Sequence, residues 1–194
     1  TRPIRIDEIK DQNDIENEDY KPLDTISLDV KIDNLDEDNS QTAIAEMTLV
    51  SGSNANGDAD AKVKMKLKAD KSGTAKLNIT IPEDTDEGTH YLYVKVYNDD
   101  DDDNCEQQVL TINVERSSNE VIPTDLDFPS TATCGMPVTF SGRLANIGTE
   151  DEDKVKVVLK GFGQTFEDVS DSVDSGEYSS LFSFDFNVPA NATA

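Results

Sequence analysis

Residues 98–104 read Asn-Asp-Asp-Asp-Asp-Asp-Asn, and Asp99, Asp100, Asp101, Asp102 and Asp103 supply hard oxygen ligands of the kind Ca2+ takes in sets of six to eight. The run is not an EF-hand. Asn104 stands where that loop needs glycine after Asp99-x-Asp101-x-Asp103, and its twelfth position is Leu110 rather than Glu. The competing reading is a solvated hairpin turn whose charges discourage edge pairing. A smaller acidic group, Asp36, Glu37 and Asp38, recurs as Glu150–Asp153 at an equivalent turn. The recurrence says that such turns want acid; it does not say that they hold metal. No cofactor is required by any motif, and Ca2+ is the one ion the pattern suggests.

Other reactive side chains are few. Asn78-Ile-Thr80 and Asn191-Ala-Thr193 are acceptor sequons for N-glycosylation. Asn78 alternates with Leu77 and Ile79 and is expected to point outward, as a glycan needs, while an unmodified polar strand residue accounts for the sequon equally well. Cys105 and Cys134 are the two cysteines, enough for one disulfide. They are expected at ends of their domains away from the joint, so a bridge needs folded-back domains or a neighbouring molecule, and two thiols remain the alternative. His90 falls on an inward strand face and reads as a core or corner histidine, with no second histidine and no Gly-x-Ser-x-Gly elbow beside it. Tyr91, Tyr93 and Tyr97 form an outward stripe, either an interaction patch or strand residues under a neighbouring domain. An enzyme is not expected.

Composition sets the background for these groups. The 194 residues carry 41 Asp plus Glu against 17 Lys plus Arg, a net charge of −24. Such a surface repels nucleic acid and anionic lipid and attracts cations. No apolar run approaches the roughly 18 residues of a membrane span. The chain begins with Thr1, so its start reads as processed or as a boundary within a longer protein.

The elements that position these residues alternate with period two. Ile26, Leu28, Val30 and Ile32 share one strand face, Val63, Met65 and Leu67 another, and Leu77, Ile79 and Ile81 a third. His90, Leu92, Val94 and Val96 follow, then Leu110, Ile112 and Val114. No window shows helical periodicity. One buried and one solvated face per strand predicts antiparallel sheets packed as a sandwich.

The pattern is also stated twice. Ile26–Leu35 returns as Val138–Gly148, with Asn34 matching Asn146, and Leu77-Asn-Ile-Thr-Ile-Pro82 returns as Phe184-Asp-Phe-Asn-Val-Pro189. A period of about 110 residues predicts tandem β domains. The boundaries read as residues 1–116 for the first, 117–120 for a linker, and 121–194 for an incomplete second domain. The second copy reaches Ala194 before counterparts of the first copy's last two strands. Two completions are open: a chain continuing past Ala194, which is preferred, or a neighbour's inserted strand, with residues 2–10 as donor.

The strand–Asn–acidic turn–strand pattern, and the run from Ile81 to Leu92, resemble CARDB and NEW3 immunoglobulin-like domains. With its Asp content and the Cys134-Gly135 turn, the chain resembles the tandem repeats of archaeal S-layer proteins. That resemblance implies an all-β fold of two immunoglobulin-like sandwiches and an extracellular structural role at the cell surface, with copies of itself as partners. Two alternatives stay open, a filament subunit assembled by donor-strand complementation and an adhesin or stalk module of a larger surface protein.

Overall fold

The computed structural model describes residues 3–12, 19–50, 59–161 and 163–190, with the backbone alone at 101–104. The described residues form strands and turns without a helix, and they divide into two compact units between Glu115 and Arg116.

Unit 1 is an immunoglobulin-like sandwich. Its first sheet has the order β1 (Ile4–Asp11), β3 (Thr25–Asn34), β6 (Ser72–Thr80). Its second has the order β2 (Asp19–Tyr20), β8 (Asp101–Val114), β7 (Gly88–Asn98), β4 (Gln41–Val50), β5 (Ala59–Leu67). All pairings in this unit are antiparallel except β2 with β8, a short parallel contact of Asp19 with Asn113 and Tyr20 with Val114. The alternating apolar residues meet between the sheets. Ile26, Leu28, Val30 and Ile32 of β3 and Leu77 of β6 face Ala43, Ala45, Met47 and Leu49 of β4 and Leu92 and Val94 of β7, all buried. Each such Leu, Ile or Val contributes about 1.5–3 kcal/mol by leaving water.

The opening strand is not a spare donor. β1 pairs with β3 along its length, and Ile4 and Ile6 are buried in the unit's own core. Its alternation suits a neighbour's sheet and its own equally well, and its own is closer.

Unit 2 repeats part of this plan. One sheet has the order β13 (Phe182–Asn187), β10 (Pro137–Asn146), β9 (Val121–Asp127), and the other, among the described residues, pairs β11 (Lys156–Gly161) with β12 (Gln164–Val169). The sequence repeat is also the structural register. Leu28 pairs with Leu77 and Phe140 with Phe184; Ile26 pairs with Ile79 and Val138 with Phe186. Both first strands carry a register shift against the central strand, opposite Lys31 and Ile32 in unit 1 and opposite Ser141 and Arg143 in unit 2.

The small core of unit 2 is closed by aromatic stacking. Phe182 and Phe184 are buried at 6% and 5% exposure. Phe166 lies 6.3 Å from Phe184 and 5.4 Å from Phe186, and Phe128 lies 5.9 Å from Phe140. Rings from β12 and from beyond β9 thus cover part of what further strands cover in unit 1. Phe140 and Phe186 remain half-buried.

Residues 117–120 are not a slack linker. Ser117 and Ser118 accept from the amides of Thr149 and Glu150, and Glu120 accepts from Ile147 and Gly148. Arg116 donates to the carbonyls of Ile147 and Gly148 at 3.0 and 2.6 Å and to Ser175 Oγ at 2.9 Å. The segment straps the turn after β10 and belongs to unit 2.

Candidate functional site

The polar residues that both units bury at one equivalent place are Asn34 and Asn146, at 2% and 0% exposure. Asn34 Nδ2 donates to the carbonyls of Asn39 and Lys68, both at 2.9 Å, and Oδ1 accepts from the Asp36 amide at 3.0 Å. Asn146 Nδ2 donates to Glu150 and Val173 at 2.8 and 2.9 Å, and Oδ1 accepts from the Gly148 amide at 3.0 Å. Both N–H donors and the carbonyl oxygen of each amide are engaged by backbone groups. The clamp ties the end of the central strand to the turn that follows it and to the segment leading into the last strand of that sheet.

The acidic turn after β3 is built around this clamp. Asp36 Oδ1 accepts from the amides of Asp38 and Asn39 at 3.0 and 2.9 Å, and Oδ2 accepts from Gln41 Nε2 at 2.8 Å. The Asn39 and Asp38 amides, in that order, hold its carboxyl below the usual range. In unit 2 the matching position is Gly148. A Cβ there would lie 2.7 Å from the Glu120 amide nitrogen and 2.8 Å from the Ser118 carbonyl oxygen, so the strap excludes a side chain. Asp151 accepts from the Ser175 amide instead, at 2.9 Å. The recurrent acids serve their own turns.

The run at 98–104 is split by the fold. The hairpin turn takes only Asp99 and Asp100, while Asp101, Asp102 and Asp103 belong to β8, because the pairing of Asn98 with Asp101 closes the turn early. Asn98 Oδ1 accepts from the Asp100 amide, and the Asp99 carboxylate pairs with Lys64 Nζ. The hairpin reading therefore holds for the backbone. The ligand reading of Asp101, Asp102 and Asp103 concerns side chains outside the described set. Among the described residues no three acidic, histidine or cysteine side chains are grouped to hold a metal ion.

Asn78 lies exposed on β6, the edge strand of its sheet, as the alternation predicts. Asn191 lies outside the described residues. Neither Cys105, half-buried in β8, nor the exposed Cys134 is in a disulfide. The bridge expected from sequence is not formed here: Cys105 belongs to unit 1 and Cys134 to unit 2. His90 is buried at 3% exposure with Nε2 2.8 Å from the Asp86 carbonyl, a core histidine as expected.

The tyrosine stripe of β7 stands among lysines. Tyr97 donates to Glu46 at 3.1 Å, with Lys62 and Lys95 5.2 and 4.9 Å from its ring centroid. The Tyr97 hydroxyl first, and Glu46 after it, hold the Lys62 ammonium above its ordinary range. Tyr91 is 46% exposed on the same face.

The feature that most distinguishes the units is an edge. In unit 1, β4 is flanked by β5 and β7. In unit 2 its counterpart β11 is flanked, among the described residues, by β12 alone. The inward residues Ala43, Ala45 and Met47 of β4 are fully buried, whereas Val155, Val157 and Leu159 are only half-buried. A cleft of about 200 Å3 in unit 2 is lined by Leu144, Val157, Phe182, Asp168, Ser170 and Asp171 among others.

No family model matches the chain, and no curated protein matches it. Among solved structures the chain is similar to a red sea bream transglutaminase, at 12% identity and TM-score 0.36, over 97% of this chain and 27% of that one. It is similar to CBD12 from CALX1.2 at 12% identity and TM-score 0.32, over 86% and 70% of the two chains. It is similar to the C-terminal globular domain of an oligosaccharyltransferase from Pyrococcus abyssi at 10% identity and TM-score 0.29, over 98% and 41%. The chain thus spans 27% of the transglutaminase's length. The immunoglobulin-like architecture rests on the strand pairing itself.

Proposed function

We propose that this chain is a structural segment of an extracellular cell-surface assembly, an S-layer-like wall of immunoglobulin-like repeats that associates with copies of itself and is not an enzyme. The observation that carries this reading is the duplicated clamp of Asn34 and Asn146. Two units repeat one plan, and the buried polar groups that recur are spent on holding turns. That is the chemistry of a building block. The surface supports the same reading. At a net charge of −24 it stays hydrated in concentrated salt, repels nucleic acid, and draws divalent cations such as Ca2+ between acidic faces. The exposed Asn78 sequon gives an N-linked glycan an outward position.

A filament subunit completed by strand donation is the second reading, favoured by the unflanked β11. Sedimentation and negative-stain imaging with millimolar Ca2+ and with chelator separate the two. A lattice forms with Ca2+ and disperses on chelation, and a filament persists. A chain that stays monomeric under both conditions excludes both readings.

A further inference from the structure

We infer that Asp36 governs the β7–β8 hairpin through a one-way chain of side-chain amides, which makes the two acidic turns of unit 1 a single conformational unit. The inference goes beyond the surface-wall reading and does not rest on it.

The contacts run from one turn to the other. Asp36 lies in the turn after β3, and its Oδ2 accepts from Gln41 Nε2 at 2.8 Å. Gln41 is the first residue of β4, and its Oε1 accepts from Asn98 Nδ2 at 2.6 Å. Asn98 is the last residue of β7 and is 7% exposed, and its Oδ1 accepts from the Asp100 amide at 3.0 Å. The strand register brings these residues together. Asn98 stands opposite Ala43 of β4, and the Asp99 amide donates to the Thr42 carbonyl at 2.9 Å. β4 therefore begins beyond the end of β7, and Gln41 bridges the two turns from there.

Chemistry gives this chain a direction. At one end an ionised carboxylate only accepts, and at the other a backbone N–H only donates. Each amide between them has one donating and one accepting side. Gln41 must turn its NH2 to Asp36 and its oxygen to Asn98; Asn98 must turn its NH2 to Gln41 and its oxygen to Asp100. The bonds are all satisfied in that direction alone, and each polarises the next. The Asn39 and Asp38 amides on the other oxygen of Asp36 keep its carboxyl below the usual range, and so ionised at neutral pH.

The hairpin needs such a hold. It carries Asp99 and Asp100 and leads into the acidic run, whose like charges repel. Lys64 pairs with the Asp99 carboxylate, and the chain from Asp36 fixes the next backbone amide. In unit 2 Gly148, at the place of Asp36, has no side chain to begin a chain of this kind. By linkage, whatever grips the hairpin is felt at residues 35–40, and the reverse.

The test is amide hydrogen exchange read by NMR on the whole chain at neutral pH. Asp36→Asn keeps the size and shape of the side chain and removes its direction. The new oxygen goes to the turn amides, the new NH2 faces Gln41, both amides of the chain turn over, and Asn98 presents NH2 to the Asp100 N–H. Exchange at Asp100 is expected to rise about fivefold, the effect of one lost hydrogen bond. In a Gln41→Met background, where the chain is cut, Asp36→Asn is expected to add nothing at Asp100. An unchanged rate at Asp100 in Asp36→Asn overturns the inference. So does a rise that Gln41→Met leaves undiminished, since the effect then travels by another route. An equal rise at the Gly148 amide of unit 2 marks general loosening and overturns it too. If the Asp36 variant does not fold, the unaltered chain decides. The NH2 groups of Gln41 and Asn98 are expected to exchange about fivefold more slowly than that of the exposed Gln107, and equal rates overturn the inference.

Discussion

Asn34 and Asn146 stand at the last residue of the central strand in each unit and make the same three hydrogen bonds, two given to carbonyls and one accepted from the amide two residues on. Around them the turns differ: Asp36 organises one, and Gly148 with the Arg116 strap organises the other. What the repeat holds constant is the joint between strand, turn and returning segment.

Replacing either asparagine by alanine removes three hydrogen bonds at a buried place, although the Lys68 and Val173 carbonyls keep the amides of Lys71 and Glu152 and the Gly148 amide keeps the Glu120 carbonyl. Asn34→Ala and Asn146→Ala are each expected to destabilise their own unit by about 2–4 kcal/mol. Hydrogen exchange resolved by unit checks this. A loss under about 0.5 kcal/mol would mean that water replaces the clamp.

Acid is expected to loosen unit 1 through Asp36 and Asp33. The Asn39 and Asp38 amides depress the first carboxyl, and the Ser72 hydroxyl, ahead of Arg5, depresses the second, both below an ordinary value of 3.8. A depressed carboxyl stabilises the fold above its unfolded pKa, and that contribution disappears as pH falls through the folded value. Stability should therefore drop below about pH 4, and Asp36→Asn should flatten part of the drop. Carbon-detected titration of Asp36 gives the midpoint directly, and a midpoint at or above the ordinary value defeats the argument.

Unit 2 tolerates Phe182 because Gly142 faces it. A Cβ at Gly142 would lie 2.8 Å from Phe182 Cζ, 2.7 Å from Leu126 Cδ2 and 3.1 Å from the Thr124 carbonyl oxygen. Gly142→Val is expected to cost about 1–3 kcal/mol, and adding Phe182→Ala should recover part of that loss. Thermal melts of the two single variants and the double variant measure the coupling, and strict additivity would show that the two side chains do not compete for one space.

The sequon on β6 is expected to be used when the chain is made in a host that N-glycosylates secreted proteins. Mass spectrometry of the peptide containing Asn78 should show a glycan that Thr80→Ala abolishes. An unmodified Asn78 in a secreted product would leave the residue an ordinary outward strand position.

Much of this architecture is legible along the chain because strands with one buried face alternate strictly. Matching Leu77–Pro82 to Phe184–Pro189 recovers the observed pairing register residue for residue. The two asparagines lie in the repeated text, but an isolated polar residue at a strand end shows nothing of its partners until the chain closes on it. Asp101–Asp103 read as loop because their composition is that of a turn, yet the pairing of Asp101 with Asn98 of β7 starts the returning strand there, with a register shift before Cys105 pairs with Tyr97. The two-residue β2 is too short for any period to reveal. Arg116 is a single basic residue in the text, and only folding brings three acceptors within its reach.

The pairing of Gly142 with Phe182 stands where unit 1 pairs Val30 with Ala75. Each unit gives the space to a different member of the pair. During synthesis, neighbouring copies of one plan are prone to exchange strands and become trapped in hybrids. A β13 strand that docked on β3 would press Phe182 against Val30, and a β6 strand that docked on β10 would leave a hole between Ala75 and Gly142. The exchanged volumes act as a key that lets each nascent unit select its own closing strand.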